Sequence, residues 1–260
     1  MTTSWDPAQY ERYKAYRDRP ALDLMVQIHA DLAPREIWDL GCGTGEHAAL
    51  LKRRHPTAVV HGLDSSPDML ARARARVEDI DWVEQGVQDW SPATPPDLIF
   101  TNAALQWAPD HQTLMPRLVG TLAPGGVFAC QMPISFVAPQ HTILREVASD
   151  PRWADRLAEV RGVRPVAEPQ DYYGWLAPLS ASVDIWSTTY LHALTGEDPV
   201  VDWMLGSGLR PYVEALSSDA DRSLFLDAYR RRLKPAFPRR SDGTTLLPFP
   251  RLFLVARRRA

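Results

Sequence analysis

The residues with the clearest chemical potential lie in one short stretch, Asp39-Leu40-Gly41-Cys42-Gly43-Thr44-Gly45. Glycines at every second position let a chain turn sharply and let its backbone come close to a ligand. Asp64 follows Gly45 by 19 residues and closes the next apolar run, with Ser65 beside it. A carboxylate there can accept both hydroxyls of a ribose. Two cofactor classes suit a glycine turn followed by such an acid. A dinucleotide corner has the spacing G-x-G-x-x-G. Here the place of its third glycine is taken by Glu46, an anion where a pyrophosphate would lie. Asp39 beside the turn suits a cation instead, an ammonium or a sulfonium, which favours S-adenosylmethionine (SAM) over a nicotinamide dinucleotide. Gln88-Asp89-Trp90 adds a carboxylate for the exocyclic amine of adenine and an aromatic for its ring. Asn102 falls where the sulfonium end would lie. Each has a plainer reading: a tight turn, a helix cap with a core tryptophan, a turn asparagine.

The elements that must hold these residues alternate between strand and helix. A helix is expected over 8–32, carried by Leu22, Leu24, Met25, Ile28 and Leu32 and ended by Ala33-Pro34. Strands are expected at 36–40, 58–63, 81–85, 97–101 and 127–132. Helices are expected at 46–55, from Pro67 through Val77, and at 114–122. This rhythm implies βαβ units and a parallel sheet covered on both faces, an α/β Rossmann-like fold. After Pro133 the rhythm breaks. Residues 134–181 read as helix and loop, 183–190 as a strand with one exposed face, 197–235 as helices, and 252–256 as a last strand. About 60 residues would then part the last two strands, far beyond ordinary connections. The expected organisation is an N-terminal cap helix (1–30), a cofactor core (31–133), a helical and loop cap segment (134–181), and the last two strands (182–260) carrying a helical cap insertion at about 191–248. A second packing layer without a functional role is the alternative.

Composition narrows the class. The chain has 260 residues, 45% of them hydrophobic, with 29 Lys and Arg against 32 Asp and Glu. The net charge of −3 disfavours a nucleic-acid partner. No apolar run approaches the roughly 18 residues that cross a bilayer, so no membrane partner is expected. The N-terminus lacks a basic start followed by an apolar stretch, the mark of a secretory signal. The two cysteines, Cys42 and Cys130, make neither a disulfide framework nor a zinc cluster, and a cytoplasmic setting is expected. There is no Ser-His-Asp, Cys-His or metal-spaced histidine set, so no metal and no catalytic side chain are expected, only positioning.

These residues resemble the class I SAM-dependent methyltransferases over roughly 36–133. The likeness rests on Asp39-x-Gly41-x-Gly43-x-Gly45, Asp64, Asp89 and the Leu122-Ala-Pro-Gly-Gly126 turn. That family implies a mostly parallel seven-stranded sheet with an antiparallel last strand, here 252–256. A narrower resemblance runs over almost the whole chain, to the trans-aconitate 2-methyltransferases. It rests on Trp5-Asp-Pro-x-x-Tyr10, Arg17-x-Arg19-Pro20-Ala21, Asp64-Ser-Ser-Pro67, Gln106-Trp107, Gln131-Met-Pro133, Gly208-Leu-Arg-Pro211 and Phe249-Pro-Arg-Leu-Phe253. Residues 160–172 depart from that family's pattern. The resemblance implies methyl transfer from SAM to a carboxylate of trans-aconitate, giving a monomethyl ester and S-adenosylhomocysteine. Carboxyl groups ionise near pH 4, so such a nucleophile needs no base. A small polyanionic acid does need cationic and hydroxyl donors, and arginine's planar fork suits carboxylates. The candidates are Tyr10, Tyr13, Arg17 and Arg19, then Arg210 and Tyr212, then Tyr229 and Arg251, with Gln106 and Trp107 as a wall. A solvated face is the plainer reading for each arginine; flanking prolines single out Arg19 and Arg210. A C- or N-methyltransferase acting on another metabolite, and a non-catalytic SAM-binding module, stay open. So does the oligomeric state, a monomer included.

Overall fold

The structure, a computed structural model, describes residues 14–76, 79–160 and 166–260; the side chains of Lys14, Ala15 and Arg17 are outside this description. Strands β1 (Glu36–Leu40), β2 (Val59–Asp64), β3 (Asp81–Glu84), β4 (Leu98–Asn102), β5 (Val127–Pro133), β6 (Ser180–Thr195) and β7 (Thr244–Arg258) form one sheet in the order β3-β2-β1-β4-β5-β7-β6. The pairs among β1 to β5 are parallel. β7 runs antiparallel to β5, from Val127↔Arg257 to Pro133↔Arg251. This is the Rossmann-like class I arrangement. The chain moves outward from β1 to β3 and then returns to β4, so the strand order switches between β1 and β4. In such sheets ligands bind beyond the carboxyl ends at that point.

The central strands are apolar almost without alternation because both faces are covered. Every residue of β5 is buried, and so are Ile37 to Leu40 of β1 and Leu98 to Thr101 of β4. Helix α1 (Lys14–Gln27) buries Ala21, Leu24 and Met25, followed by Ile28, one helical face, and leaves Leu22 and Val26 exposed. Helix α2 (Glu46–Arg54) follows the glycine turn and carries Lys52, Arg53 and Arg54 in its last turn, where cations suit the helix dipole. Helix α3 (Pro67–Arg74) is capped by Ser66, whose hydroxyl accepts the Met69 N–H at 3.4 Å. It stops short of the expected Val77, which lies outside the described residues. Helix α4 (His111–Thr121) is capped by Asp110. No helix among the described residues is long and apolar enough to cross a membrane.

The chain divides into two compact units. Among the described residues, one holds Arg19–Pro133, Val166–Thr188 and Arg251–Ala260, with most of the sheet; the other holds 14–18, 134–160 and 189–250. In the sheet unit, α7 (Pro169–Leu176) packs on α4 through a 2.6 Å hydrogen bond between Tyr172 and His111. The helical unit contains α5 (Pro139–Ala148), α6 (Ala154–Leu157), α8 (Pro199–Leu205), α9 (Arg210–Ala215) and α10 (Asp219–Ala236). Its core gathers Trp153, Trp203, Phe225, Tyr229 and Phe249.

The structure differs from the expected organisation in three places. The excursion between the last two strands covers only 196–243, because β6 and β7 are 16 and 15 residues long. Residues 19–30 and 166–181, expected in the cap, belong to the sheet unit. His192 and Leu194 carry the alternation of β6 beyond its expected end at Tyr190, with His192 buried against Trp203 at 4.8 Å between ring centroids.

Candidate functional site

The glycine corner is built by left-handed backbone that residues with a Cβ adopt rarely. Gly41, Gly43 and Gly45 have φ of 75°, 56° and 78°. The N–H groups of Gly41 and Cys42 both donate to the Leu63 carbonyl, at 2.7 and 2.9 Å, and hook the corner onto β2. A Cβ on Gly41 would fall 2.2 Å from the Ala104 Cβ, so the corner presses on the loop after β4. A Cβ on Gly43 would meet nothing within 4 Å, which leaves a cradle against bare backbone. The Gly43 N–H donates to Asp64 Oδ2 and the Ser66 N–H to Oδ1, both at 2.9 Å. Asp64 is therefore aimed by the corner itself and keeps lone pairs for further donors.

Asp39 stands under this corner and is only 1% exposed. Burial pushes its carboxyl up to about 8, the Asp64 charge adds to the rise, and the Ala48 N–H opposes it. Its Oδ2 has no hydrogen-bond partner. A buried acceptor without a donor costs about 1–3 kcal/mol, and a cationic ligand group would remove that cost. Asn102 Oδ1, at the end of β4, is likewise buried and unpartnered. The next residue, Ala103, sits at φ 53° with its N–H donating to the Gln131 carbonyl at 2.9 Å. Left-handed backbone in a non-glycine residue stores about 1–3 kcal/mol and gathers at ligand sites. Two acceptor oxygens on the strands that flank the switch in strand order, a bare glycine cradle and a carboxylate at the end of the adjacent β2 together fit SAM.

Two more orphan atoms lie on the turn after β4 and on its neighbour β5. Gln106 uses its Nε2 on the Ala103 carbonyl at 2.7 Å, and its Oε1 is unpartnered. Gln131, fully buried in β5, accepts from Arg251 Nη1 at 3.4 Å and has an unpartnered Nε2. Sequence reasoning missed Gln131 as a site residue. Its signal was a polar residue within an otherwise apolar strand. His111 was also missed. It bridges Tyr172 and the Leu105 carbonyl, 2.8 Å from Nε2, and so anchors the 3-10 turn Leu105–Trp107. Burial lowers its pKa, which keeps the ring neutral.

The remaining expected residues divide sharply. Ser65, Gln88 and Asp89 are exposed near the strand ends, and Arg251 is buried at 5% exposure. Trp90 is a correction: it is 1% exposed, edge-on to Trp38 at 5.2 Å, so its ring belongs to the core and has no face for adenine. Tyr229 is a second correction. It is fully buried and its hydroxyl donates to the Gln140 carbonyl at 2.7 Å, a structural bond. Tyr212, 7% exposed, packs in the same helical core. Arg210 donates to Glu214 at 2.6 Å and Arg19 pairs with Asp23 at 3.8 Å. Both arginines lie on exposed helix faces, the solvated reading. Trp107 is 53% exposed beside the half-buried Gln106. Tyr10 and Tyr13, and the side chain of Arg17, lie outside the described residues.

Comparison with known proteins agrees with this geometry. Residues 37–126 match the family described as a methyltransferase domain. A trans-aconitate 2-methyltransferase of Methylobacterium nodulans is 46% identical over 255 residues, covering 98% of each chain. One from Escherichia coli is 41% identical over 256 residues, covering 98% of this chain and 99% of the relative. Among solved structures, the YcgJ protein of Bacillus subtilis aligns with a TM-score of 0.58 at 15% identity, over 93% of this chain and 99% of that one. At that identity the likeness concerns the fold alone.

Proposed function

The chain belongs to the trans-aconitate 2-methyltransferase family, and from that premise we propose how its own residues serve the reaction. It is a SAM-dependent carboxyl O-methyltransferase that converts trans-aconitate to a monomethyl ester. SAM supplies an electrophilic methyl group on a sulfonium. The chain's part is to bind, orient and keep water out. Asp64 accepts the ribose hydroxyls, with Ser65 beside it. Gly41, Gly43 and Gly45 give the close backbone approach. Asp89 and Gln88 take the adenine edge. Asp39 and Asn102 present oxygen to the cationic end of the donor.

The acceptor carboxylate is ionised at neutral pH and needs no proton removed. Holding it in line with the methyl group supplies about 7–11 kcal/mol of the barrier reduction. Charge is neutralised as anion meets sulfonium, so a site with little water favours the step. The buried, solvent-free atoms at the ends of β1, β4 and β5 support such a setting. A cytoplasmic location goes with this reading and is supported by two free cysteines.

The observation that carries the proposal is the pair of unpartnered acceptor oxygens, Asp39 Oδ2 and Asn102 Oδ1, toward the carboxyl ends of the neighbouring strands β1 and β4, with the open Gly43 turn following β1. A panel of acceptors tests it. With SAM present, trans-aconitate should be turned over with a kcat/KM far above those of its methyl esters, monocarboxylic acids and primary amines. Preference for an amine would replace the reading with N-methylation, and SAM binding without turnover of any acid would reduce the chain to a binding module.

A further inference from the structure

The carboxyl edge of the sheet changes polarity between two neighbouring strands. Asn102 of β4 and Gln131 of β5 are register partners. Asn102 offers a buried oxygen with no donor, and Gln131 a buried amide nitrogen with no acceptor. The orientation of Gln131 is not arbitrary. Arg251 Nη1 lies 3.4 Å from Gln131 Oε1. A guanidinium has donors only, so the amide oxygen must face it and the NH2 group must face away. Gln131 is completely buried, and its amino group is withheld from water as well as from the protein. Register partners that carry an acceptor on one strand and a donor on the next are the pairing that a sulfonium meeting a carboxylate requires.

We propose that Gln131 Nε2 holds the reacting carboxylate of the acceptor, and that Arg251 acts through it as a positioning residue. This inference rests on the acid-acceptor reading above. The amide donates to the oxygen that does not attack. That oxygen becomes the carbonyl of the ester and remains an acceptor throughout, so the bond is kept along the reaction. A donor on the attacking oxygen would instead tie up the lone pair that must form the new bond. Placing a neutral amide between the arginine and the reacting group has a further consequence. The acceptor loses its charge during transfer, so a cation in direct contact would favour the ground state over the transition state. The interposed glutamine orients without that penalty, while the arginine fixes which end of the glutamine faces the acid.

Gln131→Met keeps length and apolar bulk but removes the donor. Gln131→Glu supplies an acid that pairs with Arg251 and repels an anion. Arg251→Met frees the amide to rotate, and Arg251→Lys keeps a donor-only neighbour. Calorimetry would measure trans-aconitate binding to each enzyme's complex with S-adenosylhomocysteine, alongside steady-state kinetics. Gln131→Met should weaken acid binding and raise its KM by about tenfold or more, with the affinity for S-adenosylhomocysteine within about twofold of wild type. Gln131→Glu should abolish acid binding, and Arg251→Lys should recover most of what Arg251→Met loses. If both Gln131 variants bind and turn over the acid as wild type does, the inference falls and the acid-acceptor reading stands. If wild type itself neither binds nor methylates the acid, both fall. Should Arg251→Met fail to fold, the two Gln131 variants decide the matter alone.

Discussion

Asp39 should make SAM binding depend on pH, and the size of the effect follows from its burial. With its carboxyl pushed up to about 8, the ligand-free protein holds Asp39 protonated at pH 7. A cationic ligand group favours the ionised form, so binding must drive a proton off. Each pH unit below the pKa costs about 1.4 kcal/mol, a factor of about ten in affinity. From pH 6 to pH 8 the affinity should rise by up to about 50-fold, with a further factor of about two before it levels off. The ligand's own amine titrates in the same range, so the control is Asp39→Asn, which carries the same ligand titration without the carboxylate. The ratio of the two binding constants, measured by calorimetry at half-unit steps, isolates Asp39. Proton release at pH 7, read from the dependence of binding heat on buffer ionisation, should approach one per ligand. Repeating the titration with S-adenosylhomocysteine separates the two cations. The same slope for both ligands assigns the ammonium, and a slope for SAM alone assigns the sulfonium. A ratio that stays within twofold from pH 6 to pH 9 would refute the assignment of Asp39 to the ligand.

Three further outcomes are expected. Gly43→Ala forces a Cβ into left-handed backbone, at a cost of about 1–2 kcal/mol in urea unfolding. It should lower SAM affinity by more than that cost alone, because the new carbon enters the cradle; an unchanged affinity would mean that no ligand approaches there. Trp90→Leu should destabilise the fold by about 2–4 kcal/mol yet leave SAM affinity within a few-fold; a selective loss of SAM binding would restore Trp90 to the adenine site. His141 is buried in the helical unit, 3.4 Å from Ser135 Oγ, and burial together with the Arg145 charge lowers its pKa to about 4. The unfolded chain therefore binds the proton first, and stability should fall as pH drops from about 6.5 to 4, by up to about 3 kcal/mol. His141→Phe should flatten that part of the urea-midpoint profile, and an unchanged slope would contradict the burial argument.

Much of the sheet unit was legible in the sequence because its signals are local. Unbroken apolar runs such as Val127–Met132, punctuated by Pro and Gly, mark buried parallel strands without reference to anything distant. The glycine corner was legible for the same reason: its spacing, with Glu46 in place of a third glycine, Asp39 beside the turn and Asp64 closing the next strand, sets it apart from a dinucleotide turn. Trp90 was misassigned because a core tryptophan and a pocket tryptophan are the same residue in sequence; what decides is Trp38 beneath it, on another element. Arg19 and Arg210 were singled out by their prolines, although Asp23 and Glu214, four residues on, already signalled pairing along an exposed helix face. β6 outran its expected end because His192 breaks the apolar alternation, and the aromatic partners that bury it come from distant chain. Gln131 was legible only as part of the Gln131-Met-Pro133 motif, since a polar residue within an apolar strand gains meaning only once Arg251 and Asn102 are seen beside it.

Mass spectrometry of trans-aconitate incubated with the enzyme and methyl-labelled SAM tests the central claim most directly. The account expects one labelled methyl group on the acid, removed again by mild alkaline hydrolysis as an ester must be, with an equal amount of S-adenosylhomocysteine formed. Label that survives hydrolysis, or an acid recovered unlabelled while SAM is bound, would contradict it.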